Sequence, residues 1–282
     1  MRFWEEVEKM SDPILLPPCK PALRKILCSK LARPIPAKAF PYLLVAVTLL
    51  GLLLRLLELH LNGDMDRDSI LYLEIAEKYI TTGNYPGIML PFLNLIMKYL
   101  YFLGIPPEAG GLAVNIAAGT ALIPVVYLIL RQFSSGREIP LAGAFLTAFH
   151  PTLTYLSSQI LRDSPYLFFC GCSLLCCLKG MKKREMEGEK KSCLFWGLAG
   201  GFLALGSCCR YEILELFFLP FFYSIFAFIT GRENKKHLFL KMGIFFTAFV
   251  AVLLLFLFIN DLDRTFHELY TERFNRIWKE NK

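Results

Sequence analysis

The stretch YLLVAVTLLGLLLRLLELHL, residues 42–61, decides the fold of this chain. A helix needs about 20 predominantly apolar residues to cross a bilayer, and this run has that length. It follows a segment that is rich in proline and basic residues, and it begins later than the apolar core of a cleaved signal peptide would. We therefore interpret residues 42–61 as an uncleaved first membrane span.

Six further apolar runs follow along the chain. Hydrophobic residues make up 55% of the 282 residues, and the mean hydropathy is +0.46. A soluble domain is usually about 45–50% apolar, and here the excess falls in blocks, which indicates spans in a lipid bilayer and not one large core. The sequence predicts an all-α, multi-pass transmembrane helical bundle of seven spans: 42–61, 112–130, 139–160, 164–179, 194–209, 213–230 and 241–259.

An eighth apolar stretch, 87–104, is interrupted by Lys98 and opened by Pro86 and Pro91. The positive-inside rule decides its interpretation. If 87–104 crossed the membrane, the lysine-rich loop near 182–191 would lie outside; if it lies on the surface, the basic loops all lie inside. We therefore predict a long outer loop, 62–111, that carries interfacial helices.

These choices divide the chain into three parts. Residues 1–41 form a basic cytoplasmic tail, 42–259 form the seven-span module, and 260–282 form a short tail on the outer face. The net charge of +7 is explained by basic cytoplasmic loops, so we predict no nucleic-acid partner. Nine cysteines do not form a disulfide framework, and no Cys/His spacing suits zinc.

The first group of residues that could carry chemistry is DMDRDSILYLEIAEKYITTGNYP, residues 64–86. Three aspartates are followed by a helical pattern, with Ile70, Leu73, Ala76 and Ile80 on one side. Asp68 is predicted near the helix start, where a carboxylate is favoured by the free N–H groups. Two readings stay open: a capped, solvated helix, or carboxylates that bind a divalent cation or act as a base. The polar residues predicted on the other side are Glu74, Glu77 and Lys78.

Two other polar groups interrupt apolar runs. Arg162 and Asp163 precede Pro165, and Arg210 and Glu212 flank Tyr211. Charges so close to membrane-spanning segments are costly to bury and are often functional, although an ordinary ion pair or a snorkelling arginine would give the same pattern. An arginine can hold a phosphate through paired hydrogen bonds. The predicted topology places all three groups on the outer side, which suits a phosphate-bearing lipid and an acceptor hydroxyl. A further polar pair, His150-Pro151, predicts a helix kink inside the third span.

The chain resembles the GT-C glycosyltransferases that use a polyprenyl-phosphate sugar donor, such as the bacterial aminoarabinose transferases and the protein O-mannosyltransferases. The first landmark of that family is an acidic residue, a tyrosine four positions later and an alanine eight positions later, which correspond to Asp68, Tyr72 and Ala76. Asp163 and Pro165 match the second landmark, an acidic residue two before a proline. Arg210, at the end of a glycine-rich span, matches the third. The Gly83-Asn84-Tyr85-Pro86 turn also fits.

The resemblance implies an enzyme that transfers a sugar from a polyprenyl-phosphate carrier to an acceptor on the extracytoplasmic face. Asp68 and Asp163 would be catalytic, with Asp68 as the general base. Arg210 would hold the phosphate. A divalent cation, Mg²⁺ or Mn²⁺, would be held by Asp66, Asp68 or Asp163 if one is used. The implied location is a plasma membrane, the bacterial inner membrane, with the N-terminus in the cytoplasm. The residues assigned to substrate binding are Asp66, Tyr72, Arg162, Arg210 and Glu212.

Members of the family are normally longer, which leaves three explanations: a fragment, a protein partner that supplies a further C-terminal portion, or loss of activity. The alternative function is therefore a non-catalytic GT-C-like membrane subunit that binds lipid-linked sugar or a partner. A small transporter is a second alternative, but it predicts paired repeats and broken helices at the midplane. The sequence shows no internal repeat.

Overall fold

The computed structural model describes residues 36, 39–83, 85, 91–181, 188–230 and 235–259. Most of the predicted tail 1–41, the predicted tail 260–282, the lysines of 182–187 and two residues of the predicted turn, Asn84 and Pro86, lie outside these ranges. Helices account for nearly all of the described chain, and no strand occurs there. The elements are α1 (Phe40–Leu61), α2 (Arg67–Thr82), α3 (Phe92–Phe102), α4 (Pro107–Leu130), α5 (Glu138–Phe149), α6 (Pro151–Ser158), α7 (Asp163–Met181), α8 (Gly188–Ser207), a 3₁₀ helix (Tyr211–Phe217), α9 (Phe218–Ile229) and α10 (Lys235–Ile259).

Five segments of the described chain are helices long and apolar enough to cross a membrane. Their outward side chains are large and apolar: along α1, Leu49 is 60% and Leu53 is 59% exposed. In lipid such a surface is solvated, and the helix satisfies every internal backbone hydrogen bond. The predicted all-α, multi-pass class is therefore confirmed. The five segments are Phe40–Leu61, Pro107–Leu130, Asp163–Met181, Tyr211–Ile229 and Lys236–Phe258.

The predicted third span, 139–160, is two helices and not one. α5 ends at Phe149, His150 adopts extended backbone angles (φ −67°, ψ 116°), and Pro151 opens α6. A proline disfavours the α conformation in the residue before it, which is why the helix breaks at His150. The kink predicted at His150-Pro151 is confirmed, but α6 ends at Ser158, so residues 159 and 160 belong to a turn.

The predicted span 194–209 also has different bounds. α8 runs from Gly188 to Ser207, and Cys208 and Cys209 form a turn beyond it. Both cysteines are only 1% exposed and pack in a cluster with Ile75 of α2. This buried turn therefore packs the spans against the helices of the 62–111 segment.

The stretch 87–104 contains α3, which has eleven residues. At 1.5 Å per residue α3 is about 16 Å long, roughly half the thickness of the hydrocarbon core. α3 lies against both α2 and α4, and its residues Leu93 and Met97 are 1% and 0% exposed. α2 and α3 thus form a layer at one end of the bundle. The next helix, α4, begins at Pro107, inside the range predicted as loop.

Glycines let α8 and α10 approach closely. A Cβ on Gly200 would overlap the carbonyl oxygen of Phe245 and lie 3.2 Å from the backbone nitrogen of Phe249. Small residues at helix contacts are how membrane helices gain packing without a hydrophobic driving force. The adjacent Gly201 is different, since its nearest neighbour would be 3.7 Å away.

We expect Gly200→Ala to lower the stability of the protein in detergent by about 1–3 kcal/mol, because the backbone of α10 cannot move aside as a side chain can. The matched control is Gly201→Ala, which meets only ordinary contact and gains helix propensity. Thermal melting of both purified variants measures the difference. An equal melting temperature for the two would contradict the close packing described here.

Candidate functional site

The acidic segment ends where α2 begins. Asp66 is the N-cap of α2, and its Oδ1 accepts a hydrogen bond of 2.7 Å from the backbone N–H of Arg67. Asp68 lies in the first turn of α2 and is exposed. A carboxylate there is favoured by the free N–H groups and the helix dipole. The predicted position of Asp68 near the helix start is confirmed, and Gly83, with φ 74°, ends the helix as a left-handed cap.

The buried face of α2 differs from the predicted face. Ile70, predicted to be on the apolar side, is 48% exposed, whereas Tyr72 is 2% and Ser69 is 0% exposed. The helix is rotated because Ser69 forms hydrogen bonds and Tyr72 packs among Leu93 and Ile160. Periodicity counts apolar side chains and does not register that a serine can be satisfied by a neighbouring loop. Leu73 and Ile80 are only partly buried, while Ala76, Glu74, Glu77 and Lys78 lie as predicted.

A residue that the sequence did not single out joins this segment to the second polar group. Gln159 is 2% exposed, and its Oε1 accepts hydrogen bonds from the backbone N–H of Asp66 (3.0 Å) and from the Ser69 hydroxyl (3.2 Å). Its Nε2 donates to the carbonyl of Asp64 at 3.2 Å. One amide therefore holds the chain just before α2 against the turn between α6 and α7. The only sequence signal was a glutamine at the end of an apolar run.

The second and third polar groups meet directly. Nη2 of Arg210 lies 2.7 Å from Oδ1 of Asp163, and the two side chains are 31% and 20% exposed. Asp163 is the first residue of α7, and Arg210 lies in the extended link between α8 and the 3₁₀ helix. The guanidinium of Arg210 also lies 5.8 Å from the centre of the Tyr166 ring. The prediction that these two groups share one side of the bundle fits this contact.

Three polar groups at this end of the bundle are left unsatisfied by the part of the chain that the structure describes. Nε of Arg210 and Oε2 of Glu212 are buried without a hydrogen-bond partner there. Arg162 is partly buried, and among the described residues its guanidinium has no ion pair or side-chain hydrogen bond. Buried polar groups are almost always paired, so unpaired buried atoms such as these indicate a place where a ligand can bind.

Charges from the segments around Asp68, Asp163 and Arg210 all act on Tyr72. Burial raises the pKa of the Tyr72 hydroxyl to about 12, and it is the largest cause of the shift. The charges of Arg162, Asp163, Arg210 and Asp68 also act on this pKa, the arginines lowering it and the carboxylates raising it. Tyr72 is one helical turn after Asp68, so the two share a face of α2. Tyr72 thus lies within electrostatic reach of Asp68 and of the Asp163–Arg210 ion pair.

The cation predicted for Asp66, Asp68 or Asp163 has no preformed site here. Among the described residues, no three His, Cys, Asp or Glu side chains cluster as metal ligands. Asp66 uses one oxygen as a helix cap, and Asp163 is held by Arg210. A divalent cation therefore stays a prediction from the sequence.

Gln159→Ala should release the segment before α2. The change leaves the buried hydroxyl of Ser69 without its acceptor, which costs about 1–3 kcal/mol, and it frees the N–H of Asp66. We expect faster proteolysis within residues 62–67 in the purified protein. Gln132→Ala is the matched control, because the Gln132 side-chain amide bonds only the carbonyl of Leu128, in the last turn of the helix that Gln132 follows. Equal cleavage rates for both variants would contradict this role of Gln159.

The raised pKa of Tyr72 predicts a specific loss of stability in alkali. The folded-state pKa is about 12 against an ordinary value of 10, so the unfolded chain releases this proton first and stability falls as pH rises from about 10 to 12. The loss should reach about 2–3 kcal/mol. Tyr72→Phe should lose less over that window, measured by thermal melting against pH. Tyr101→Phe, at a half-exposed ring, should follow the wild type; a Tyr72→Phe curve parallel to the wild type would contradict the assignment.

One family model matches this chain: dolichyl-phosphate-mannose-protein mannosyltransferase, over residues 101–265. The match runs from the end of α3 through α10 and includes Asp163 and Arg210, while Asp68 precedes it. No curated protein and no solved structure matches the chain significantly. The match covers more than half of the 282 residues, and it confirms the resemblance to GT-C glycosyltransferases. This chain belongs to the dolichyl-phosphate-mannose-protein mannosyltransferase family.

Proposed function

We propose that this membrane glycosyltransferase moves a sugar from a polyprenyl phosphate to an acceptor hydroxyl at the extracytoplasmic face, with inversion at the anomeric carbon. The class of enzyme and the lipid-linked donor follow from the family. The observation that carries the finer proposal is the Asp163–Arg210 ion pair, with Asp68 and Arg162 near enough to act electrostatically on the same Tyr72. The family description names dolichyl-phosphate mannose and a protein, so mannose and a protein hydroxyl are the first pair to test.

Asp68 is proposed as the general base. Its side chain is exposed at the start of α2, where an acceptor can reach it. Asp66 is less suited, because its Oδ1 already accepts the N–H of Arg67. Asp64 is exposed too, but it lies before the helix and outside the face that Asp68 shares with Tyr72. Asp66 is left with a supporting role through the conformation of this turn.

Arg210 and Arg162 are proposed to hold the phosphate. An arginine has five N–H donors, and Arg210 gives one nitrogen to Asp163 while its Nε stays unpaired. Arg162 is the second cation that acts on Tyr72. Two guanidinium groups match the charge that builds up on a departing phosphate, and Asp163 holds that of Arg210 in place before the reaction begins.

Asp163 is proposed to orient Arg210 and to position the acceptor. Its 2.7 Å bond to Nη2 sets the direction of the guanidinium plane. Glu212, with an unpaired buried oxygen, lies beside the same arginine and contributes to substrate binding.

The proposed step is a single displacement. The acceptor oxygen gives its proton to Asp68 and forms a bond to the anomeric carbon. The bond from that carbon to the phosphate oxygen breaks, and its electron pair leaves with the polyprenyl phosphate. The arginines offset the charge of this leaving group. The proton on Asp68 is then released to water.

Asp68→Asn should reduce transfer by about 10²–10⁴-fold, because a general base contributes that much to the rate. The assay uses purified protein in lipid nanodiscs with radiolabelled polyprenyl-phosphate mannose and a Ser/Thr-containing acceptor peptide. The matched control is Asp64→Asn, which removes an exposed carboxylate from the same segment. It should retain wild-type transfer and melting temperature.

The outcomes separate the proposed roles from the alternative. Full activity of Asp68→Asn would exclude this base. Transfer lost equally in both variants would show that the segment, and not one carboxylate, is required. A wild-type protein that binds the donor lipid but transfers no sugar would favour the non-catalytic subunit.

A further inference from the structure

α1 carries an arginine inside the bundle. Arg55 is 0% exposed, although it lies within a predicted membrane span. Its Nη1 donates to the carbonyl of Gly51 at 2.8 Å, and its Nε donates to Oγ of Ser157 at 3.2 Å. Among the described residues no carboxylate lies within ion-pair distance of it. An ionisable residue buried in a span is costly and is therefore a candidate for function.

The hydrogen bonds around Ser157 have a definite direction. Oγ of Ser157 donates its one proton to the carbonyl of Leu153 at 2.7 Å. It can then only accept from Nε of Arg55 and from the hydroxyl of Ser164, which lies 3.3 Å away. The result is an ordered chain of bonds from Arg55 through Ser157 to Ser164. Ser164 is 3% exposed and directly follows Asp163.

Two glycines make room for this chain of bonds. A Cβ on Gly119 of α4 would overlap Oγ of Ser157 and lie 3.1 Å from Nε of Arg55. A Cβ on Gly51 of α1 would lie 3.3 Å from Nη1 of Arg55. The guanidinium and the serine therefore meet where α1 and α4 each present a glycine. Four elements, α1, α4, α6 and α7, contribute to this one site.

We infer that Arg55 is a positioning residue for Asp163, which it holds in place through Ser157 and Ser164. The inference rests on the proposed role of Asp163 in transfer. Asp163 begins α7, and the hydrogen bonds described above hold the next residue, Ser164, against α1 and α6. On the opposite side, the Asp163 carboxylate pairs with Arg210. The first turn of α7 is thus fixed from within the bundle before any substrate arrives.

The first test measures backbone hydrogen exchange and does not depend on activity. Ser157→Ala and Arg55→Lys should raise exchange by about tenfold in residues 160–166, because both break the path to Ser164. Lysine keeps the charge but loses the planar fork that reaches two acceptors. Gly119→Ala should have the same effect by separating the two groups without removing either one.

The matched control is Ser158→Ala. Ser158 and Ser157 are buried alike, at 2% and 1% exposed. The Ser158 hydroxyl, however, bonds only the carbonyl of Tyr155 in the same turn. It should leave exchange in 160–166 unchanged. Unchanged exchange in Ser157→Ala would overturn the inference, whether or not the protein transfers sugar. Equal increases in Ser157→Ala and Ser158→Ala would overturn it too, because they would reflect general loosening of α6.

The second test couples Ser157, through which Arg55 acts, to Asp163. Ser157→Ala should lower kcat by about tenfold in the wild type and cause no further loss in an Asp163→Asn background. A full additional loss there would show a purely structural role and overturn the inference. If the wild type transfers no sugar, the proposed function fails, while the exchange measurement still decides the role of Arg55.

Discussion

The ion pair between Arg210 and Asp163, 2.7 Å long, joins the two turns on which the rest of the site depends. It connects the start of α7 to the link after α8, two helices that pack along each other. Its partial exposure means that solvent screens the attraction, so the pair contributes little to stability. Its value is geometric, since it fixes where a guanidinium lies relative to α2.

The bilayer explains why the residues of the candidate site lie in the turns between spans. Within the hydrocarbon core an unpaired charge or backbone group is costly, so the long helices present leucine and phenylalanine to lipid. Chemistry that needs carboxylates and guanidinium groups is left to the turns between spans. α2 and α3, which are too short or too polar to cross, cover these turns and bury Tyr72. The site is consequently built from short connections held by long helices.

Two buried polar side chains tie these connections to the bundle. Gln159 bonds three groups of the segment from Asp64 to Ser69, and Arg55 bonds Ser157 from inside α1. Each of these hydrogen bonds joins residues about 90 to 100 positions apart in the sequence, so neither side chain is recognisable as part of a motif. A low dielectric strengthens such bonds and makes an unpaired partner costly. Both therefore specify one arrangement of the turns.

The sequence by itself determined the all-α membrane class, the capped start of α2 near Asp68, the break at His150 and the three polar groups that compose the site. These features follow from local composition, helix periodicity and the effect of proline on its predecessor, each of which acts within a few residues. Only the tertiary structure decided which face of α2 is buried, where the spans near 160 and 208 end, and that Arg210 pairs with Asp163. Those outcomes depend on contacts between residues distant in the chain. Periodicity misplaced Ile70 and missed Ser69 for this reason: a buried serine is stable only if another loop supplies its hydrogen bonds, and here Gln159 does.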